Sequence, residues 1–134
     1  MSTLELKRLG IMMSPESGNP HEVEGVPNPA AIRGPDGKLY LFPRLVGAGN
    51  FSRIGIALEP EADHELRTDG SGGCEDPRIS FVEPLRRYVM TYTTLSRIAL
   101  AVSEDLFHWK RLGLAIFEPF RGIDFVHVDN KDAS

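Results

Sequence analysis

Two stretches of this sequence repeat each other, and the repeat limits the folds that are open to the chain. Residues 52–58 match residues 96–102 at an offset of 44, and Tyr40 corresponds to Tyr88 at an offset of 48. Short segments rich in β-branched and aromatic residues recur about every ten residues, separated by turns with Gly and Pro, as in all-β folds. A repeat of roughly 40 to 50 residues made of several short strands is typical of β-propeller blades.

The turns between these segments predict where the strands begin and end. Gly34-Pro35-Asp36-Gly37 predicts a tight hairpin, because Pro and Gly supply the dihedral angles that such a turn needs. Only residues 104–107 have a helical pattern, over a single turn. The predicted strands cover residues 30–33, 39–44, 51–58, 79–82, 87–94, 97–102 and 114–117.

The predicted fold class is therefore all-β, with one partial β-propeller domain over residues 1–134. Its parts are an N-terminal extension (1–27), a first blade unit (28–74), a second (75–122) and the start of the next (123–134). Closed propellers have typically 4 to 8 blades, so 134 residues are too few to close one. We expect an N-terminal portion of a longer protein, association with other copies, or exposed sheet edges that a homo-oligomer would cover.

Composition excludes several classes of protein. Lys plus Arg number 15 and Asp plus Glu 19, for a net charge of -4, which argues against a nucleic-acid partner. Cys74 is the single cysteine, so no disulfide can form within the chain and a reducing compartment is favoured. No apolar run reaches the roughly 18 residues that span a bilayer, and no signal peptide is evident, so we expect no membrane partner and a cytoplasmic location.

The segment from Gly72 to Ile79 predicts a rigid corner that presents acidic side chains at the mouth of a strand. Pro77 favours an extended backbone at Asp76, beside Glu75. The alternative is a plain turn whose two carboxylates are solvated. Cys74 is predicted to be a packing residue, with its pKa raised by the carboxylates beside it. Further along the chain, Trp109 is predicted to pack between neighbouring blade units.

The loops of a propeller converge at one end of its channel, so polar residues just outside the repeated strands are candidate site residues. Their mixture of carboxylates and guanidinium groups suits a polar or anionic ligand. Arg53 and Arg97, at the same point of the repeat, serve either a ligand or salt bridges between the units. Asp124, His127 and Asp129 match no metal signature, so no metal is predicted. The candidates are Asn28, Arg44, Arg53, Glu75, Asp76, Arg78, Arg97, Asp124, His127, Asp129, Asn130, Lys131 and Asp132.

Several short words in the sequence, taken in order, resemble glycoside hydrolase family 130, the β-mannoside phosphorylases and related mannosidases. The resemblance covers the chain from about residue 9 onward. It implies a five-bladed β-propeller, of which this chain is the first two to three blades. The words are Asn28-Pro29-Ala30, Tyr40-Leu41-Phe42-Pro43-Arg44, Ser52-Arg53-Ile54-Gly55, Glu75-Asp76-Pro77-Arg78-Ile79, Thr91-Tyr92-Thr93, Arg97-Ile98-Ala99-Leu100-Ala101 and Asn130-Lys131-Asp132-Ala133.

The resemblance also implies roles for individual residues. Asp76 is the expected catalytic acid, Arg97 is expected to bind phosphate, and the residues expected to bind substrate are Asn28, Arg44, Arg53 and Lys131. The expected function is cleavage of β-mannosidic bonds with inversion, by phosphate or by water. The partners would be a β-mannoside oligosaccharide and inorganic phosphate as co-substrate, with no other cofactor. The alternative is a sugar-binding or assembly module without catalysis, or an inactive remnant of such an enzyme.

Overall fold

The computed structural model describes residues 5–67, 69 and 72–124, and its regular structure is β-strands with two short 3-10 turns. The all-β prediction is confirmed. Within the described residues, no helix has the length and apolar character to cross a membrane. The strands are β1 (Ala30–Arg33), β2 (Leu39–Phe42), β3 (Arg44–Gly47), β4 (Phe51–Ile54), β5 (Glu75–Val82), β6 (Arg87–Thr94), β7 (Arg97–Ser103) and β8 (Trp109–Leu114).

The second half of the chain forms a four-stranded antiparallel sheet in the order β5-β6-β7-β8. Along β6, Tyr88, Met90 and Tyr92 are buried, whereas Val89 and Thr91 between them are only partly buried. This alternation is expected of a strand whose successive side chains point to opposite faces of the sheet. The four strands follow one another in sequence and form one antiparallel meander.

The first half is also antiparallel, but it is divided into two separate ladders. The strands β1 and β2 form one ladder, and β3 and β4 form another. Pro43 separates β2 from β3, because proline has no N–H to give to a ladder. The chain before β1 continues alongside β3, where Arg44 N donates to the carbonyl of Pro27 at 3.1 Å and Val46 N to that of Gly25 at 3.0 Å.

The hydrophobic core joins the two halves. It contains Phe42 and Ile54 from the first half and Met90 and Tyr92 from the second. Trp109 of β8 packs edge-on against the ring of Phe42, with ring centroids 6.4 Å apart. The prediction that Trp109 packs between the two units is therefore confirmed.

Most predicted strands are present, and the hairpin at residues 34–37 joins β1 to β2 as expected. The strand predicted over 51–58 is wrong in its second half, because Ile56 has a φ of 71° and Leu58 bonds back to Ile54. The strand predicted over residues 114–117 is misplaced, because the last strand, β8, begins at Trp109 and ends at Leu114. The helical turn predicted at 104–107 is also wrong. There Asp105 accepts hydrogen bonds from the backbone N–H groups of Phe107 and His108.

The main chain at Gly73 packs very closely against the main chain of β4. Gly73 has a φ of 136°, and a Cβ at this position would overlap the main chain of Ser52. The neighbouring residue Cys74 donates its N–H to the Ser52 carbonyl at 2.9 Å. Only glycine fits here, because any side chain would push β4 away from the segment that leads into β5.

We expect Gly73→Ala to destabilise the protein by more than ~3 kcal/mol, because it adds a backbone overlap to the cost of a positive φ. Gly37→Ala is the matched control, since Gly37 also has a positive φ of 78° but no atom within 4 Å of the added Cβ. That variant should lose about 1 kcal/mol. Urea unfolding of both variants measures the difference, and equal losses would show that the packing at Gly73 is not close.

Candidate functional site

Two residues in unusual backbone conformations meet between the two halves of the fold. Asn28 and Asp76 each precede a proline, lie 48 positions apart and have a φ of 49°, in the left-handed region. Asn28 Nδ2 donates a hydrogen bond of 2.8 Å to Asp76 Oδ1. Asn and Asp are the residue types, after Gly, that adopt this conformation most readily. The repeat thus brings two equivalent positions into direct contact.

The expectation of an extended backbone at Asp76 is wrong. The pairing of β5 with β6 slips between Glu75 and Arg78, and the bulge turns Asp76 into the left-handed conformation. Asp76 is also buried, with 7% of its surface exposed, so the alternative of a solvated turn does not hold for it. The bulge directs the carboxylate inward toward Asn28.

Arg44 holds the two neighbouring carboxylates of this corner. Its Nη1 lies 3.3 Å from Asp76 Oδ1, and its Nη2 lies 3.2 Å from Glu75 Oε1. The other contacts of the guanidinium are to Ser52 Oγ, 2.8 Å from Nε, and to Asn50 Oδ1, 2.8 Å from Nη2. Every guanidinium nitrogen of Arg44 therefore has a protein partner, and the fork fixes the carboxylates relative to β3 and β4.

A cleft of about 170 Å³ opens beside this corner. Glu75 forms part of its wall, and its side chain is 24% exposed. Carboxylate, guanidinium, amide and hydroxyl groups together offer the donors and acceptors that a sugar or a phosphate requires. The lining residues are Gly49, Asn50, Arg67, Gly72, Glu75, Thr93, Leu95 and Ser96.

The structure brings Asn28, Arg44, Glu75 and Asp76 together. It places Arg53 and Arg97 apart from them. Arg53 Nε pairs with Glu59 at 2.8 Å, within the same half of the chain, rather than with Asp76 or with the other unit. Arg97 is exposed at the start of β7, next to the cleft residue Ser96.

Arg78 is exposed, and its Nη1 donates to the carbonyl of Pro77 at 3.0 Å. Asp124 lies just after the bridge between Phe120 and Ile123. The remaining predicted residues, His127, Asp129, Asn130, Lys131 and Asp132, lie outside the described residues. Among those that are described, no group of three or more His, Cys, Asp or Glu side chains is arranged to hold a metal ion.

Sequence reasoning missed Glu65, whose carboxylate is fully buried. Its Oε1 accepts hydrogen bonds from Tyr92 Oη at 2.7 Å and from Arg111 Nε at 2.8 Å. Its Oε2 accepts from the backbone N–H groups of Glu61 at 2.9 Å and Ala62 at 3.1 Å. In the sequence Glu65 lies in a polar, turn-rich run, where nothing marks it as different from its exposed neighbours.

These contacts change the protonation of the buried groups. Burial alone would raise the pKa of Glu65, but hydrogen bonds from Arg111, Glu61, Tyr92 and Ala62 outweigh it and lower the pKa to about 2. The pKa of Cys74 is raised, chiefly by its burial and then by the charge of Glu65. The prediction of a raised pKa and a packing role for Cys74 is confirmed, but the responsible carboxylate is Glu65 rather than Glu75 or Asp76.

Comparison with known proteins adds independent information. No protein-family profile matches the chain. The chain is 31% identical, over 157 aligned residues and 98% of its length, to a 1,2-beta-oligomannan phosphorylase from Thermoanaerobacter sp. (strain X514). It spans 49% of that relative's length. A solved structure titled "putative glycoside hydrolase", from Parabacteroides distasonis ATCC 8503, matches 78% of the chain and 36% of its own, with a TM-score of 0.55 and 28% identity.

The lowered pKa of Glu65 predicts a loss of stability in acid. Because this pKa is about 2 in the folded state and 4.5 ordinarily, Glu65 stabilises the fold fully above pH 4.5, and this contribution is lost as the pH falls toward 2. Urea midpoints measured between pH 7 and pH 2 should therefore fall less steeply in Glu65→Gln than in the unaltered protein. Glu104→Gln, which removes an exposed partner of Arg87, is the control and should keep the original slope. Parallel slopes in all three proteins would contradict the assignment.

Proposed function

We propose that this chain contributes the catalytic acid to the cleavage of β-1,2-linked oligomannans. Its resemblance to the β-mannoside phosphorylases of glycoside hydrolase family 130 is confirmed by a relative that is aligned with 98% of this chain and of which the chain spans 49%. The observation that carries the proposal is the burial of Asp76 at the contact between the two halves, where Asn28 and Arg44 hold it. The preceding residue in the chain, Glu75, lines an open polar cleft. The chain is a carbohydrate-active enzyme or part of one.

The proposed reaction requires one proton and one nucleophile. A phosphate oxygen attacks the anomeric carbon of the terminal mannosyl unit from the face opposite the glycosidic oxygen. The bond from that carbon to the glycosidic oxygen breaks, and the leaving oxygen takes a proton that comes from the carboxyl group of Asp76, directly or through a sugar hydroxyl. The products are α-mannose 1-phosphate and a shortened oligomannan. Phosphate is already anionic, so no general base is needed.

We assign the other residues by their places around Asp76. Asn28 Nδ2 and Arg44 Nη1 both contact Asp76 Oδ1, so these two residues hold the acid in place, and we propose that its other oxygen serves the substrate. Arg67 lines the cleft beside Glu75, and Arg97 follows the cleft residue Ser96 in the chain, so we assign phosphate binding to these two cations. Lys131 and Arg53 stay predictions as substrate-binding residues. We also propose that the two halves are blades of a five-bladed β-propeller, in which the repeated Asn-Pro and Asp-Pro corners face one channel.

Asp76→Asn should lower the rate of cleavage by roughly 10²- to 10⁴-fold, because it removes the proton donor and keeps the shape that Asn28 and Arg44 hold. The measurement is release of mannose 1-phosphate from β-1,2-mannobiose with phosphate. Asp63→Asn, at an exposed position, is the control and should retain full activity. An active Asp76→Asn protein would overturn the assignment.

The nucleophile is identified by repeating the assay with and without phosphate. Mannose 1-phosphate formed only when phosphate is present supports phosphorolysis, whereas free mannose formed in both assays supports hydrolysis. Saturable binding of the oligosaccharide without either product would favour the alternative of a sugar-binding module. That outcome would contradict the catalytic proposal while leaving the cleft as a ligand site.

If Arg97 binds phosphate, Arg97→Ala should raise the KM for phosphate by about tenfold or more and leave the KM for the mannoside unchanged, since the guanidinium contributes a charged hydrogen bond to phosphate alone. Initial rates over a series of phosphate concentrations provide the measurement. Arg87→Ala is the matched control, because Arg87 is also exposed but pairs with Glu104 at 2.9 Å away from the cleft. Equal phosphate KM values in the two variants would exclude Arg97 from the phosphate site.

A further inference from the structure

The main chain at Glu65 contacts the segment that leads to Asp76. Gly73 donates its N–H to the Glu65 carbonyl at 2.7 Å, and Leu66 pairs with Gly72 in an antiparallel bridge. Gly73 precedes Asp76 by three residues. A displacement of Glu65 would therefore act on the segment that carries the proposed acid.

The loop at Glu65 is itself fixed to the second sheet. The Glu65 carboxylate bonds to Tyr92 of β6 and to Arg111 of β8. Thr94 Oγ1 adds a hydrogen bond of 2.7 Å to the carbonyl of His64. Because these partners all belong to one continuous sheet, the loop has one well-defined place against that sheet.

The segment from Gly72 to Cys74 is packed closely between this loop and β4, with backbone hydrogen bonds to both. Ser52 N donates to the Gly72 carbonyl at 3.2 Å, and Cys74 N donates to the Ser52 carbonyl at 2.9 Å. A Cβ added at Gly72 would lie 2.7 Å from the Glu65 carbonyl oxygen, so the two strands of backbone are in close contact. Ser52 Oγ also accepts from Arg44 Nε at 2.8 Å, which connects this segment to the group that holds Asp76.

We propose that Glu65 is a positioning residue for proton donation by Asp76, acting through Gly73 and Ser52, an inference that rests on the proposed function. Asp76 has a φ of 49°, a conformation that persists only where its surroundings enforce it. Glu65 supplies that enforcement from the side of the second sheet. A small displacement of an acid from the leaving oxygen is costly, because proton transfer depends on the alignment of the two groups.

A purely structural role for Glu65 would reduce all activity in step with the folded fraction. A positioning role predicts a different pattern, because an acid is needed only when the leaving group is a poor one. A sugar leaving group must be protonated as the bond breaks, whereas a nitrophenolate leaves without a proton. The ratio of activities on these two substrates therefore separates the roles.

The test compares Glu65→Gln with the unaltered protein on β-1,2-mannobiose and on 4-nitrophenyl β-mannoside, both with phosphate. The substituted glutamine keeps the size of Glu65, but its amide nitrogen faces donors where the carboxylate accepts from Tyr92, Arg111 and two backbone N–H groups. We expect roughly a hundredfold loss of kcat on mannobiose and a loss of only about twofold on the nitrophenyl substrate. Equal losses on both substrates would overturn the proposal.

Leu106→Ala is the matched control for lost stability. Leu106 is fully buried in the turn between β7 and β8, and the hydrogen bonds described for that turn join it to Ser103 and Trp109 rather than to the segment from Gly72 to Asp76. At a temperature where both variants are folded to the same extent, Leu106→Ala should reduce both activities equally. A selective loss on mannobiose in Leu106→Ala would show that destabilisation alone produces the pattern.

Absence of turnover by the unaltered protein on both substrates would contradict the proposed function itself. In that case, amide hydrogen exchange still measures whether the side chain of Glu65 stabilises the segment from Gly72 to Asp76. Exchange at the N–H groups of Gly73 and Cys74 should be faster in Glu65→Gln than in an equally destabilised Leu106→Ala protein. Equal exchange in the two variants would overturn the coupling.

Discussion

The pairing of Arg44 with two adjacent carboxylates is the interaction on which the arrangement of the site depends. Asp76 is almost fully buried and Glu75 is partly buried. A carboxylate that is removed from water is tolerated only where charge and hydrogen bonds compensate for the lost hydration. One guanidinium fork meets both of these carboxylates and also bonds to Ser52 and Asn50. Because these contacts connect β3, β4 and β5, they also hold the two halves of the fold in register at that point.

The internal repeat explains why the carboxylate of Asp76 has Asn28 as a hydrogen-bond partner. Asn28 and Asp76 hold the same place in successive units, share the same backbone conformation and meet through a single hydrogen bond. The neutral amide donates a hydrogen bond to the acidic side chain, so the two copies of one corner differ in chemistry. The difference lies in one functional group, an amide against a carboxyl, while the proline that follows each is unchanged.

A second polar centre, at Glu65, joins the two halves and contacts the beginning of the same segment, at Gly72 and Gly73. Here the carboxylate is fully buried and its hydrogen bonds all favour its charged form, which explains why its pKa falls although burial opposes this. The centre at Glu65 contacts residues 72 and 73, and the centre at Arg44 contacts residues 75 and 76, so the segment is restrained at both ends. A corner held from both sides suits a group that must be aligned with a substrate, because alignment fixed in advance need not be created during the reaction.

The sequence by itself determined the all-β class, the repeat, the hairpin at residues 34–37, and the choice of Asn28, Arg44 and Asp76 among a larger group of candidate site residues. These follow from local signals: turn chemistry, alternation along strands and matching words. Only the tertiary structure decided the left-handed conformation of Asp76, the separation of Arg53 from Asp76, and the burial of Glu65. Such features depend on which backbone atoms meet across the fold, and the physical reason is that a carboxylate in a polar run has no local property that shows whether water or a distant arginine will solvate it.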